Sequence, residues 1–203
     1  MAAVVHTPVS APSTLLDLIS RSRVRDLVAV VGFALLTALA AQISIPLGFT
    51  PVPITGQTFA VLLAGGVLGA NRGALSMGLY VVLGAVGLPF YSDWTGGWTA
   101  ATGATMGYLL GFVVAGFVVG HLAERGQDRR LSTSLPAFLA GSLTVYVFGA
   151  GWLAIDLGLP LSAEAGTPSA ISLGVAPFFV GDILKALLAG ALLPAAWKLA
   201  ERR

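Results

Sequence analysis

Six apolar segments, separated by short polar or broken stretches, dominate the pattern of hydrophobic and polar positions along the chain. They lie at residues 27–47, 57–70, 73–88, 104–122, 135–155 and 173–199. A membrane-spanning helix needs about 20 mostly apolar residues, and most of these segments approach that length, the second being short. The pattern therefore predicts six transmembrane helices.

Prolines at positions 46, 51 and 53 interrupt the pattern after the first segment. They leave a polar, extended stretch at residues 50–58. Irregular backbone at membrane depth is tolerated only where protein covers it or where it lines a cavity. We expect this stretch to lie against the bundle, although a simple outer loop is the alternative.

Composition supports a membrane protein over a soluble one. Of the 203 residues, 56% are hydrophobic and 10% are charged, whereas soluble domains carry about 25% charged residues. The absence of cysteine excludes disulfides and thiolate metal sites, and a net charge of +2 is too small to indicate nucleic-acid binding. We predict an all-α integral membrane protein with a six-helix domain at 27–200 and no cofactor. Residues 1–26 are predicted to form a disordered N-terminus and a short interfacial helix.

The basic residues predict the orientation in the cell membrane. With the N-terminus inside, six crossings place ten of the eleven lysines and arginines on the inner side and none in the outer loops. Loops that remain in the cytoplasm carry an excess of Lys and Arg. Both termini of this multi-pass protein are therefore predicted to be cytoplasmic.

The remaining base, Lys185, lies with Asp182 inside the last apolar segment. Residues three apart share one face of a helix, and a charge near the bilayer midplane costs at least about 2.5–3.5 kcal/mol. The pair could neutralise itself and serve packing alone. It could instead meet a ligand, with the lysine suited to an anionic group and the carboxylate suited to N–H donors. Pro177 and Gly181, which loosen the same turn, favour the ligand.

Two further features permit two interpretations each. The loop at 87–98 is aromatic and glycine-rich, and its side chains suit either a membrane-interface belt or a pocket wall. Ala34 and Ala38 belong to a stripe of small residues that allows close helix approach. From the residues alone, packing within the bundle is the preferred interpretation of that stripe.

Five stretches together resemble one known family. They read Ala-Gln-Ile-Ser-Ile-Pro at 41–46, Pro-Val-Pro-Ile-Thr-Gly-Gln-Thr at 51–58, Gly-Leu-Pro-Phe at 87–90, Gly-Tyr-Leu-Leu-Gly-Phe at 107–112 and Gly-Asp-Ile-Leu-Lys at 181–185. The combination is similar to BioY, the biotin-binding S component of energy-coupling factor (ECF) vitamin transporters. The resemblance covers nearly the whole chain from Arg25 to Trp197.

This resemblance implies a membrane protein that captures biotin from outside with high affinity. It implies as partners a transmembrane coupling protein and two ATP-binding-cassette ATPases. Because the sequence has no Walker motif, ATP hydrolysis would belong to those partners and the chain itself would not be an enzyme. The resemblance also makes Ala34 and Ala38 candidate docking residues for the coupling protein.

The ligand contacts that the resemblance implies are Asp182, Lys185, Asp93, Tyr108, Trp94, Trp152, Phe90 and Gln57. Either aspartate would accept the ureido N–H groups, and aromatic side chains would sandwich the rings. Two departures from the family pattern stand out. Residues 104–108 read Ala-Thr-Met-Gly-Tyr where the family usually has Pro-Thr-Gly-Gly-Tyr, and Asp93 occupies a position that often carries an amide.

Two alternatives remain at this point, and a third, a channel, is not supported. The chain could be an S component for another small vitamin, or an intramembrane enzyme that uses Asp182 and Lys185 for acid–base chemistry. A channel would need a ring of like polar residues, which the sequence does not show. The orientation of biotin is left open, since Lys185 could pair with its carboxylate or donate to its ureido oxygen.

Overall fold

The computed structural model describes residues 13–164 and 166–202. The part of the N-terminus predicted to be disordered, residues 1–12, lies outside this range. The helices are α1 (Arg23–Ala41), α2 (Gln57–Leu68), α3 (Ala70–Ala85), α4 (Trp98–Ala101), α5 (Met106–Glu124), α6 (Leu131–Leu157), α7 (Ala170–Gly174) and α8 (Phe179–Ala200). Two short strands, β1 (Ser44–Ile45) and β2 (Ile54–Thr55), pair as an antiparallel hairpin with Ser44 opposite Thr55.

The longer helices α1, α2, α3, α5, α6 and α8 correspond to the six apolar segments. Among the described residues, four helices (α1, α5, α6 and α8) are long and apolar enough to cross a membrane, and α2 is a shorter apolar helix. The all-helical membrane fold therefore agrees with the pattern. Six crossings and cytoplasmic termini remain predictions.

Helix α1 begins four residues earlier and ends six residues earlier than the first apolar segment. It starts after Ser22, whose hydroxyl accepts a hydrogen bond from the backbone N–H of Arg25 at 3.0 Å, as a helix N-cap does. It ends at Ala41, and Pro46, which lacks a backbone N–H, would not allow a helix to continue through that position. The predicted boundary between the N-terminal region and the bundle, at residues 26 and 27, thus falls inside α1.

The predicted interfacial helix is shorter than expected. It is a single 3-10 turn at Leu15–Leu18, in which Leu16 is buried against the bundle and Leu18 is exposed. The carboxylate of Asp17 accepts hydrogen bonds from the hydroxyls of Ser13 at 2.8 Å and Thr14 at 2.9 Å, which fold the segment back on itself.

The sequence places a break at residues 71–72, between the segments 57–70 and 73–88, but the turn between α2 and α3 lies at Gly69. Gly69 has φ of +84°, a conformation that glycine adopts without steric cost. Asn71 and Arg72 already belong to the first turn of α3.

The last apolar segment is broken. Helix α7 ends at Gly174 and α8 begins at Phe179, with Pro177 in the gap. Proline removes a helix hydrogen bond and disfavours helical backbone in the preceding residue, which explains the interruption. Asp182 consequently lies in the first turn of α8. The expectation of a pair in the middle of one continuous helix is therefore wrong.

Helix α5 forms the centre of the bundle and packs against α2, α3 and α6. Small residues make this possible. A Cβ on Gly107 would overlap the carbonyl oxygen of Phe148 on α6, and a Cβ on Gly120 would overlap the backbone at Gly69 and Ala70. Backbones that approach this closely are typical of membrane helix packing.

Ala34 and Ala38 lie on the inward face of α1, with exposed fractions of 0% and 7%. Beside them, the hydroxyl of Ser76 on α3 donates to the carbonyl oxygen of Val30 at 2.7 Å. The packing interpretation describes this arrangement. A docking role for the two alanines stays a prediction.

Candidate functional site

A cavity opens between α2, α5, α6, α8 and the loops at one end of the bundle, and the space between its lining atoms, including the part open to solvent, is about 610 Å³. Its apolar wall consists of Val52, Pro53, Leu109, Phe112, Val145 and Phe178, and its polar lining consists of Thr55, Gln57, Thr58, Tyr91, Ser92, Thr105, Tyr108, Tyr146, Asp182 and Lys185. The stretch at 50–58 thus lines a cavity, as the sequence suggested.

Four side chains from three helices form one hydrogen-bonded network at this cavity. The Nζ atom of Lys185 lies 2.7 Å from Oδ1 of Asp182 and 2.9 Å from the hydroxyl oxygen of Thr58. The Thr58 hydroxyl donates to the same Oδ1 at 3.0 Å. The Tyr146 hydroxyl donates to the other carboxylate oxygen, Oδ2, at 2.5 Å. We call these four residues the cavity cluster.

The cavity cluster stabilises two charges away from bulk water. The Asp182 side chain is 6% exposed and the Lys185 side chain 18% exposed. A buried ion pair is favourable only if further hydrogen bonds satisfy the remaining donors and acceptors of the two groups. Thr58 and Tyr146 supply those bonds to the carboxylate of Asp182.

The cavity cluster also retains unused hydrogen-bonding capacity. An ammonium group has three N–H donors, and within the described residues two of those of Lys185 are engaged, by Asp182 and Thr58. The oxygen of Tyr146 receives no hydrogen bond from the described residues. One donor of Lys185, the oxygen of Tyr146 and a second acceptor site on Oδ2 of Asp182 therefore remain beside the cavity. They suit a ligand that offers a carbonyl oxygen and N–H groups.

Gln57 lines the cavity beside this cluster, but most of its amide is occupied. Its nitrogen donates to the hydroxyl oxygen of the buried Tyr80 at 2.5 Å, and its oxygen accepts from the hydroxyl of Thr55 at 2.7 Å. These bonds anchor the start of α2 and thereby the neighbouring Thr58. Tyr108 also lines the cavity, while its hydroxyl donates to the carbonyl oxygen of Gly174 at 2.7 Å.

Asp93 and Trp94 do not line the cavity. Both residues adopt a left-handed backbone, with φ of 57° and 58°, and both side chains are exposed. Gln42 fixes this turn, since its amide nitrogen donates to the carbonyl oxygen of Tyr91 and its amide oxygen accepts from the N–H of Trp94. The turn directs Tyr91 and Ser92 to the cavity instead.

Phe90 and Trp152 also lie outside the cavity lining. Phe90 is half-buried against the core. The indole N–H of Trp152 donates to the carbonyl oxygen of Gly103 at 3.0 Å, which ties α6 to the turn before α5. Of the eight predicted ligand contacts, the structure therefore brings four together at the cavity: Gln57, Tyr108, Asp182 and Lys185.

Sequence reasoning did not single out Thr58 and Tyr146 as site residues. Thr58 is the last residue of the family-like stretch at 51–58 and follows Gln57 directly, and this placement could have identified it. Tyr146 had a weaker signal, as one of two polar-tipped aromatic residues inside a long apolar helix. A buried tyrosine hydroxyl needs a partner, and that partner, Asp182, is 36 positions away in the sequence.

A bundle of apolar helices around a cavity with one neutralised charged pair defines a helical membrane protein that binds a small, largely apolar ligand. The family model described as the BioY family matches residues 12–202. This chain belongs to the BioY family. It is a multi-pass protein of the cell membrane.

The biotin transporter BioY of Rhizobium etli is 39% identical over 176 residues, which cover 83% of this chain and 90% of that protein. The probable biotin transporter BioY of Pyrococcus horikoshii is 40% identical over 157 residues, covering 77% and 86%. The crystal structure of the S-component for biotin from an ECF-type ABC transporter superposes with a TM-score of 0.77. It is 27% identical, and the match covers 88% of this chain and 95% of that one.

Proposed function

We propose that this chain binds biotin in the cavity and mediates biotin uptake as the S component of an ECF-type transporter. The observation that carries the proposal is the cavity cluster, which presents a spare donor and spare acceptors inside an otherwise apolar pocket of a BioY-family chain. As a transport protein, the chain is not an enzyme.

Its partners in this proposal are a transmembrane coupling protein and two ATP-binding-cassette ATPases. ATP hydrolysis belongs to those subunits, since this sequence contains no Walker motif. The S component supplies substrate recognition and the partners supply the energy.

The ureido ring of biotin is proposed to meet the cavity cluster. Asp182 and Lys185 together carry no net charge, so they offer no uncompensated positive charge to a carboxylate. They do match a ureido group, because Lys185 can donate to its carbonyl oxygen while an acceptor faces its N–H groups. The valerate carboxylate then extends toward the part of the cavity lined by Ser92 and Thr105, whose hydroxyls are polar and uncharged.

Binding of radiolabelled biotin to the purified protein tests this proposal. We expect saturable binding that unlabelled biotin displaces and that an unrelated vitamin such as thiamine leaves intact. Biotin methyl ester distinguishes the two orientations. With the ureido ring at Lys185 the ester should bind within about tenfold of biotin, whereas a carboxylate at Lys185 would make the ester far weaker.

Six crossings with both termini in the cytoplasm complete the proposed topology. Three hydrogen-bonded contacts support it by bringing the basic ends of the helices together: Arg72 with Asp26, Ala70 with Glu124, and Trp197 with Asp128. The cavity lies at the opposite end. A reporter fused to the C-terminus should be active only in its cytoplasmic form, and an external C-terminus would mean that one crossing is miscounted.

A docking role for Ala38 on α1 is tested against its packing role. Ala38→Leu fills the inward face of α1, whereas Gly32→Leu changes the exposed face, where no atom lies within 4 Å of the new Cβ. If Ala38 only packs, Ala38→Leu should lower the melting temperature. Weaker assembly with the coupling subunit, at unchanged melting temperature and biotin affinity, would instead support docking.

A further inference from the structure

We propose that Tyr146 is a specificity-determining residue that reads one ureido N–H of the ligand through its hydroxyl oxygen. The inference rests on the proposed function, because it names a contact to the same ligand. It concerns a residue that no motif in the sequence identified. It assigns the selective acceptor of the site to a phenol and not to a carboxylate alone.

The first observation is the direction of the Tyr146 hydrogen bond. An ionised carboxylate can only accept, so the Tyr146 hydroxyl donates its proton to Oδ2 of Asp182. The phenol oxygen keeps its acceptor capacity, and no donor among the described residues uses it. Since Tyr146 lines the cavity, this oxygen is available to a ligand.

The second observation is how heavily Asp182 is already used. Its Oδ1 accepts from both Thr58 and Lys185, and its Oδ2 accepts from Tyr146. The Asp182 side chain is only 6% exposed. One ligand N–H therefore finds an unused acceptor at Tyr146, while the single remaining site on Oδ2 of Asp182 can serve the other N–H. Donation to the carboxylate polarises the phenol, because hydrogen bonds in a chain strengthen one another.

The third observation separates Tyr146 from the other tyrosines that line the cavity. The hydroxyl of Tyr91 donates to the carbonyl oxygen of Val81, and that of Tyr108 donates to the carbonyl oxygen of Gly174, in both cases at 2.7 Å. Both acceptors are backbone atoms outside the cavity lining. Only Tyr146 among these three joins the charged pair, so a hydroxyl deletion there should change ligand selectivity.

The test compares biotin with its two cyclic carbamate analogues, in each of which one ureido N–H is replaced by oxygen. Wild-type protein should bind biotin at least about tenfold more tightly than either analogue, because each analogue leaves a buried acceptor unpaired. Tyr146→Phe should lose this preference for one analogue, to within about threefold, and keep it for the other. Tyr91→Phe is the matched control, in which any loss of affinity should be equal for all three ligands.

Two results would overturn the inference. If Tyr146→Phe weakens all three ligands by the same factor, Tyr146 only positions Asp182. If it binds all three ligands as wild type does, the hydroxyl plays no part in recognition. Failure of wild-type protein to bind biotin would instead refute the proposed function, so the two failures are distinguishable.

Should Tyr146→Phe fail to fold, 3-fluorotyrosine at position 146 preserves the shape of the residue. Fluorination makes the phenol a better donor to Asp182 and a poorer acceptor for the ligand. We expect the preference for biotin over the same carbamate analogue to fall about two- to fivefold. An unchanged preference in that protein would contradict the inference.

Discussion

Two clusters of polar side chains lie near opposite ends of α2, and they differ in what they leave unused. The cavity cluster combines one acid and one base with two hydroxyls. The second, which we call the N-terminal cluster, consists of Asp17, Arg25, Asp26 and Arg72. Arg72 lies 3.1 Å from Asp17 and 3.3 Å from Asp26, and Arg25 hydrogen-bonds Asp26.

The N-terminal cluster is closed. Its two acids and two bases satisfy one another, and further donors on Arg25 bond the carbonyl oxygens of Leu16 and Ile19. Burial raises the pKa of Asp17, but the hydrogen bonds from Ser13, Thr14 and Arg72 outweigh it, so that the pKa lies below its usual value of 3.8. None of the four residues lines the cavity.

The comparison shows that charge alone does not mark a binding site in this protein. Both clusters bring opposite charges together and hold helices in place, although the Asp26 side chain of the N-terminal cluster is 41% exposed. Only the cavity cluster keeps a donor and acceptors free beside an empty space. The following variants test whether that difference corresponds to recognition at one end and to stability at the other.

Loss of the ammonium group should have the largest effect. Lys185→Ala removes the donor to the ligand and leaves Asp182 without its charged partner, and breaking one side of a buried charged contact costs about 3–5 kcal/mol. We expect biotin affinity to fall at least about a hundredfold, measured by equilibrium binding. Wild-type affinity in this variant would mean that the pair is structural, like the N-terminal cluster.

Removal of the Thr58 hydroxyl should have a smaller effect on the same cluster. Thr58→Val deletes the bonds to Asp182 and Lys185 at nearly constant shape, and one such bond to a charged group contributes about 1.5–3 kcal/mol. Biotin affinity should fall about 10- to 100-fold. Thr58→Ser keeps the hydroxyl and should recover most of it, so equal losses in both variants would argue against the hydroxyl.

Disruption of the N-terminal cluster should change stability and leave binding intact. Arg72→Ala removes an ion pair from the buried Asp17, and because Arg72 is partly exposed we expect a loss of about 1–2 kcal/mol. The melting temperature should fall by about 3–6 °C, with biotin affinity within threefold of wild type. Arg125→Ala, at an exposed position outside the cluster, serves as control. A large loss of biotin affinity in Arg72→Ala would show that the N-terminal cluster also contributes to ligand binding.

The smallest expected effect is on the pH dependence of stability. Because the folded-state pKa of Asp17 is lowered, its contribution is fully present above the unfolded-state value near 3.8 and is lost as pH falls through the folded-state pKa. The melting-temperature difference between wild type and Asp17→Asn should therefore stay constant between about pH 5 and 7 and shrink below about pH 4. A difference that shrinks above pH 5 would point to another group.

The sequence by itself determined the class of the protein and its family. Because the thickness of the bilayer fixes the length of a spanning helix at about 20 apolar residues, such helices can be predicted from local composition alone. The sequence also predicted a ligand site at residues 181–185, because the charges of Asp182 and Lys185 inside an apolar segment are costly enough to be rare. The break after the first apolar segment was also visible, because Pro46, Pro51 and Pro53 interrupt it, although α1 ends at Ala41, six residues before the segment does.

Only the tertiary structure decided which residues surround the cavity. Asp93 and Trp94 lie in the aromatic loop from which ligand contacts were predicted. Gln42, about 50 positions away in the sequence, holds this loop by two hydrogen bonds, and the side chains of Asp93 and Trp94 are exposed. Tyr146 reaches Asp182 because α6 and α8 pack side by side, a contact between residues 36 positions apart. The sequence also left open whether Ala34 packs inside the bundle or contacts a partner, because this depends on which helices pack against α1. Local composition encodes helices and turns, whereas a site made by several helices depends on how they pack.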